Sequence, residues 1–321
     1  LNSNGAGSAS GSSDSKEGKE SNAVKSAKLT LFDYYLDVKS GSLDPWMTKV
    51  ESFEYNAALP FAALFVPTVE STRISFVMDL LIRTPRKNPE EVDALTGCHW
   101  GPRGDSSSVL LVGTSGVGKS VIARRFLAKL CSQSGDDFES TEIALSAQTS
   151  SHILQSVFEN KLEKLRKTLL GPSRGRRMCL FVDDLNMPKP DEYGSQPPLE
   201  LLRQVIDNGG FYDRKKLFFK NIERVSYVSA CGPSGGGRHA VSERISRHLH
   251  TIWVPEPPES ALQNIYQSIF GGYIATELPE METEGVGPGS TFSALVTRSS
   301  IAVYNAVKDR LRPTPNKSHY T

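Results

Sequence analysis

The run Gly113-Thr114-Ser115-Gly116-Val117-Gly118-Lys119-Ser120 satisfies every fixed position of the phosphate-cradling pattern G-x-x-x-x-G-K-[ST]. It stands between the apolar run Val109-Leu110-Leu111-Val112 and the mixed run Val121 to Leu127, the order strand, loop, helix. Glycines there let backbone N–H groups turn inward onto phosphate oxygens, and the helix N-terminus adds the positive end of its dipole. Lys119 reaches the outer phosphates and Ser120 offers its hydroxyl to Mg²⁺. The pattern therefore predicts a site for ATP or ADP with Mg²⁺, built at the end of a parallel strand.

Such a site needs a carboxylate on the metal side. Met178-Cys-Leu-Phe-Val182-Asp183-Asp184 supplies it, an apolar run long enough for a buried parallel strand that ends in two acids. Asp183 is placed to face Mg²⁺ through its water shell. Asp184 takes the position where many such ATPases carry a glutamate that orients the attacking water, and it is shorter by one methylene. A general base has to come within about 3 Å of its water or act through another, so the shorter side chain argues for slow turnover.

Composition narrows the remaining classes. Lys+Arg 37 against Asp+Glu 36 leaves a net charge of +1, so the chain shows no electrostatic footprint for nucleic acid. No apolar stretch approaches the roughly 20 residues that span a bilayer, and no membrane partner is expected. No charged-then-apolar leader opens the sequence, and its start at Leu1 suggests a fragment or a processed product. Cys98, Cys131, Cys179 and Cys231 form no C-x-x-C pair, which points to reduced thiols in the cytoplasm.

Along the chain, residues 1–28 are Ser, Gly, Asn, Lys and Glu with few large apolar side chains, and they read as a disordered polar linker. Residues 29–59, with Phe32, Tyr34, Tyr35, Trp46 and Phe53, read as a segment that packs on the main body. Residues 60–255 read as the large nucleotide-binding domain. Within it, apolar spacing predicts a helix from Val69 to Leu81, strands at Thr141–Leu145, Met178–Val182, Val225–Ala230 and Leu249–Val254, a helix from His152 to Leu170 closed by Gly171-Pro172, and a short helix from Leu199 to Ile206. The stretch from Pro85 to Ser108 reads as a loop. Residues 256–321 read as a partial helical lid, with helices around Leu262–Phe270 and from Phe292 to Leu311, joined by a glycine-rich loop and stopped by Pro313. Strands alternating with helices predict an α/β fold with a five-stranded parallel sheet sandwiched by helices.

Longer signatures follow the two acids: Asp183-Asp184-Leu-Asn186-Met187-Pro188-Lys-Pro190, Gly194-Ser-Gln196-Pro197-Pro198, Glu200-Leu-Leu-Arg203-Gln, Phe211-Tyr-Asp213-Arg214-Lys and Gly232-Pro-Ser-Gly-Gly-Gly237-Arg238. Their combination resembles the dynein heavy chain, and within it the third AAA+ module of the ring in the axonemal branch. The resemblance covers about residues 29 to 321. It implies an AAA+ P-loop NTPase fold with a helical lid, in a motor that walks toward microtubule minus ends and drives ciliary movement, located in the cytoplasm, the cytoskeleton and the axoneme of the cilium. Neighbouring AAA+ modules of the same heavy chain are the implied direct partners; intermediate and light chains and microtubules bind through other parts of it. Carried over by the same resemblance, Val66-Pro67-Thr68 match the loop on the adenine. Arg244 and Arg247, in Glu243-Arg-Ile-Ser-Arg-His248, match the region from which an arginine finger reaches a neighbouring module's nucleotide.

Three departures from the family pattern bear on turnover. The catalytic glutamate position holds Asp184; Ala230-Cys231-Gly232 ends the fourth strand without a side-chain amide; and the chain stops at Thr321, before the lid helix expected to carry a second sensor arginine. The implied function is an ATP-binding, regulatory module with weak hydrolysis. Two other classes compete: a free-standing P-loop phosphotransferase, which needs an acceptor pocket and mobile lid that no segment supplies, and a structural ring module without turnover, against which Lys119 and Ser120 argue. His239, His248 and His250 lack a Cys or carboxylate partner at metal-ligand spacing, and Ser234 has no general-base context.

Overall fold

The computed structural model describes residues 30–37, 40–83, 107–235, 237–278 and 292–310. The polar segment 1–28, Cys98, nearly all of the loop before Ser108, the glycine-rich loop of the lid and Pro313 lie outside the described residues. Two compact units divide the chain at Thr48. In the first, β1 (Tyr34–Leu36) pairs antiparallel with β2 (Leu43–Pro45), and the rings of Tyr35 and Trp46 lie 5.1 Å apart.

The second unit carries the α/β fold that the strand spacing predicts. Its elements run α1 (Val69–Arg83), β3 (Ser108–Val112), α2 (Lys119–Gln133), β4 (Phe138–Ala144), α3 (Ser151–Lys161), β5 (Glu163–Arg166), β6 (Leu169–Gly171), β7 (Arg177–Asp183), α4 (Pro197–Asn208), β8 (Gly210–Tyr212), β9 (Phe219–Ile222), β10 (Val225–Cys231), α5 (Glu243–Ser246), β11 (His250–Trp253), α6 (Glu259–Glu277) and α7 (Phe292–Arg310). Five of these strands form a parallel sheet in the order β11-β3-β10-β7-β4.

Side chains alternate across that sheet with the strand period of two. Val109, Leu111, Cys179, Phe181, Val228 and Ala230 face the layer of α1 and α2, where Met78, Phe126 and Leu130 meet them. Leu110, Met178, Leu180, Val182, Tyr227 and Cys231 face the layer of α3 and α4, against Leu154, Phe158, Leu202 and Ile206. The central strands are buried on both faces, which is why β7 reads as the apolar run Met178–Val182, while β10 buries Ser226 and Ser229 among its apolar residues. Burial raises the Cys179 thiol to about 12, leaving it an inert packing group.

One predicted element is corrected. The helix expected from His152 to Leu170 stops at Lys161, and the chain turns extended at Leu162 (φ −101°, ψ 138°). Residues 163–171 instead form the hairpin of β5 and β6, joined through β9 to β8 in a second, four-stranded sheet. Leu162, Leu165 and Leu169 fit a helical stripe, but the same spacing lets Leu162 and Leu170 be buried while Leu165 folds over Gly171. Tertiary pairing with β9 selects the strand.

The family signatures brace this second sheet and the loops beside the main one. Arg214 donates to Gln155 Oε1 (2.7 Å) and Ser151 Oγ (3.0 Å) on α3, while Gln155 donates to the Tyr212 carbonyl. Gln196 donates to the carbonyl of Pro188 at 2.6 Å. Helix α4 begins with proline in its first turn and ends at Gly209 in the left-handed conformation (φ 70°). In the lid, α6 and α7 pack together, the rings of Phe270 and Phe292 lie 6.4 Å apart, and Tyr55 fills the space that a Cβ on Gly272 would need.

Candidate nucleotide site

The phosphate loop leaves the C-terminal end of β3, where β11 runs alongside. The Val254 amide donates to the Val112 carbonyl at 2.7 Å, and the Val254 carbonyl oxygen lies 2.5 Å from where a Cβ on Gly113 would be. Only glycine fits that approach. Gly116 (φ 85°) and Gly118 (φ 87°) take the left-handed conformation that turns the chain into α2, with Gly118 as its N-cap. Thr114, Ser115, Gly116 and Val117 line a cavity of about 1160 Å³ that reaches across to the lid, where Tyr266, Ile269 and Ile301 face it.

Behind the loop, the two acids meet α2. Ser120 Oγ donates to Asp183 Oδ1 at 3.0 Å across the sheet, and the Asp184 amide donates to the same oxygen at 3.0 Å. Arg124 approaches Asp183 Oδ2 at 3.7 Å while it grips Glu142. Hydroxyl and carboxylate are thus already side by side at the place where a P-loop enzyme binds Mg²⁺ through a serine and a water-coordinating aspartate. This pair fits such an ion. Among the described residues no cluster of three or more His, Cys, Asp or Glu could hold a metal alone, and Mg²⁺ held by one or two protein groups plus phosphate oxygens needs none.

Lys119 is turned back onto the loop, donating to the carbonyls of Gly113 (2.9 Å) and Thr114 (2.6 Å). Its pKa is held below the usual lysine value, first by desolvation and second by the charge of Arg238. Asp184 sits at φ 52°, a left-handed conformation that costs a non-glycine residue and clusters at functional sites. Its Oδ1 lies 3.5 Å from Nη2 of Arg238.

The other residues singled out in the sequence are placed as follows. Val66, Pro67 and Thr68 lie just before α1; Thr68 Oγ1 accepts from the Ser71 amide at 3.2 Å, and the Thr68 amide donates to Ser71 Oγ at 2.9 Å. None of the three lines the large cavity, but Leu64, two residues upstream, does. Arg244 and Arg247 are exposed and face α4, near Glu200 (3.6 Å) and Asp207 (3.9 Å) respectively. His248 also faces Asp207, and burial lowers its pKa.

Two residues of the site carried no chemical signal in the sequence. Asn186 is buried and donates through Nδ2 to the carbonyls of Gly232 (2.8 Å) and His239 (3.1 Å), clamping both ends of the loop that carries Arg238. Glu256 accepts from Thr114 Oγ1 at 3.3 Å and pairs with Lys308 at 3.0 Å, linking the phosphate loop to the lid. Asn186 and Arg238 lie within the family signatures, but as isolated letters they have no spacing that announces a role.

Residues 104–257 match the family model described as the P-loop containing dynein motor region. The chain is 40% identical over 290 residues to human dynein axonemal heavy chain 6, covering 90% of this chain and 6% of that protein. It is 37% identical over 292 residues to the dynein-1-beta heavy chain of the flagellar inner arm I1 complex of Chlamydomonas reinhardtii, covering 91% of this chain and 6% of the relative. A ciliary dynein beta chain of Heliocidaris crassispina is 33% identical over 291 residues, with the same coverage of 91% and 6%. The chain thus spans a small part of the length of these relatives. With the phosphate loop, the Ser120–Asp183 pair and the five-stranded sheet in place, the chain belongs to the axonemal dynein heavy-chain family.

Proposed function

We propose that this chain is a regulatory AAA+ module of an axonemal dynein heavy chain that holds Mg·ATP or Mg·ADP and turns it over slowly. The observation that carries the reading is the hydrogen bond from Ser120 to Asp183, which joins the phosphate loop to the acid-tipped strand in the arrangement that phosphate-bound Mg²⁺ requires. Ser120 and Asp183 would hold the ion, which when bound neutralises phosphate charge. Lys119 would exchange its two loop carbonyls for outer phosphate oxygens, a charge-assisted contact in a desolvated place. The base and ribose would enter the large cavity, with Leu64 in its wall bringing the loop Val66–Thr68 to that side.

Slow turnover is supported by the short side chain of Asp184, one methylene less than the glutamate that orients water in many such ATPases. Arg244 and Arg247, exposed beside α4, are our candidates for reaching the nucleotide of an adjacent module. We further place the chain third in the ring of a minus-end-directed microtubule motor of the ciliary axoneme, working with the neighbouring modules; this rests on the signatures and on the axonemal relatives.

Calorimetric titration with Mg·ATP and Mg·ADP tests the core of the reading. The wild-type chain binds both, and Lys119→Ala weakens each by at least about tenfold, roughly 1.4 kcal/mol. Equal affinities in the two proteins would remove the assignment.

A further inference from the structure

The loop between β10 and α5 ends in a cation that the nucleotide-site motifs leave without a task. Gly235 and Arg238 exchange two backbone hydrogen bonds (2.9 and 3.0 Å), and the turn between them uses left-handed Gly237 (φ 84°). The buried amide of Asn186 holds the carbonyls at both ends of the loop, and the Asn186 carbonyl accepts from the His239 amide at 3.0 Å. The loop is therefore held by hydrogen bonds on both sides of Arg238.

The side chain of Arg238 is laid flat across the end of β10. A Cβ on Gly232 would stand 3.1 Å from its Cδ, 3.2 Å from Nε and 3.5 Å from Cζ, so the absent side chain at Gly232 makes the channel that the guanidinium fills. Nη2 points to Asp184, and Nε is buried with no hydrogen-bond acceptor. Burial lowers the pKa of Lys119 and the charge of Arg238 adds to that effect, while burial raises the Cys231 thiol against the opposing charges of Lys119 and Arg238, which places guanidinium, ammonium and the strand end in one neighbourhood. Among the described residues, Asp183 and Asp184 are the acids whose charge acts on Lys119 beside that of Arg238; a terminal phosphate is a group whose arrival would add counter-charge to the two cations.

We propose that Arg238 contacts the terminal phosphate of a nucleoside triphosphate in cis, so that this site separates triphosphate from diphosphate through an arginine of its own chain. The arginine stands where the strand end Ala230-Cys231-Gly232 supplies no polar side chain, and its planar fork suits a phosphate better than a carboxylate held at 3.5 Å. A cation from the same chain that touches the transferring phosphate has a general precedent in NTPases that carry their arginine in cis. Asp184, released from Arg238 when phosphate takes its place, is then free to turn toward water. The inference rests on the nucleotide-binding reading above and deepens it.

The test compares Mg·ATP and Mg·ADP affinities, by calorimetry on the 321-residue chain, for wild type, Lys119→Ala, Arg238→Gln and Arg238→Lys. Arg238→Gln should weaken Mg·ATP by roughly tenfold or more while Mg·ADP changes by less than about twofold, and Arg238→Lys should fall between, since it keeps the charge without the fork. Thermal midpoints of both variants check that the fold persists; if Arg238→Gln does not fold, the lysine variant alone decides through its loss of ATP preference. Equal losses for both nucleotides, or none, in a folded variant of a chain that loses both with Lys119→Ala would overturn the role of Arg238 alone. A wild-type chain that binds neither nucleotide would overturn the site reading and this inference together.

Discussion

At the scale of single residues, the site is set by contacts that leave no room for change. Gly113 is required because the Val254 carbonyl approaches to 2.5 Å of its would-be Cβ, and a backbone atom cannot swing aside as a side chain can. Gly113→Ala should therefore displace β11 or the phosphate loop and destabilise the chain by about 1–3 kcal/mol, as overpacking of a well-filled interior does. Urea unfolding measures it, and an unchanged midpoint would show that the strand end yields freely. Asn186→Ala removes the donor to the buried carbonyl of Gly232 and the half-buried one of His239, which costs about 1–3 kcal/mol when the buried carbonyl is left unpaired. The same variant loosens the loop of Arg238, so amide exchange near Gly232 and His239 should speed up while that of β4 stays unchanged.

Among the elements, what could be read in advance followed from burial. β3 and β7 carry the apolar runs Val109–Val112 and Met178–Val182 because both of their faces are covered, and α4 was visible from the apolar spacing of Leu199 to Ile206. The second sheet escaped because its strands are three or four residues long and largely exposed in β5, with no alternation to mark them. Only the pairing of β6 with β9, nearly fifty residues later in the chain, distinguishes the hairpin from a continued helix. The site divides the same way. Lys119, Ser120 and Asp183 are legible because phosphate chemistry prescribes their spacing, whereas Arg238 and Glu256 reach the site through tertiary placement.

The turn between β8 and β9 supplies a pH-dependent test of that sheet. Asp213 accepts from Lys220 (2.7 Å) and from the amides of Lys215 and Lys216, and these bonds, led by Lys220, lower its pKa from 3.8 to about 2. A carboxyl whose folded pKa lies below its unfolded value stabilises the fold fully above the unfolded value, and that contribution disappears as pH falls through the folded one. The stability difference between wild type and Asp213→Asn should therefore be constant above pH 5 and shrink between about pH 4 and 2. Denaturant midpoints across that range measure it; a difference independent of pH would mean that Asp213 acts only as a neutral turn residue.

For the whole molecule, the large cavity lies between the phosphate loop and a lid joined to it by a polar link. Thr114, Glu256 and Lys308 form this link, and the packing of Tyr55 on Gly272 fixes the lid helix from the other side. Asp184 is short, while Arg244 and Arg247 are turned toward α4. A missing arginine finger alone slows related hydrolysis by about 10³ to 10⁵. The central claim, a module that holds nucleotide rather than spends it, is tested most directly by steady-state phosphate release from the purified chain at saturating Mg·ATP. The account predicts turnover far below the roughly 1 s⁻¹ at the low end of typical enzymes, scarcely altered by Asp184→Glu. Turnover at or above that rate, abolished by Asp184→Ala, would contradict it and make the site a self-sufficient ATPase.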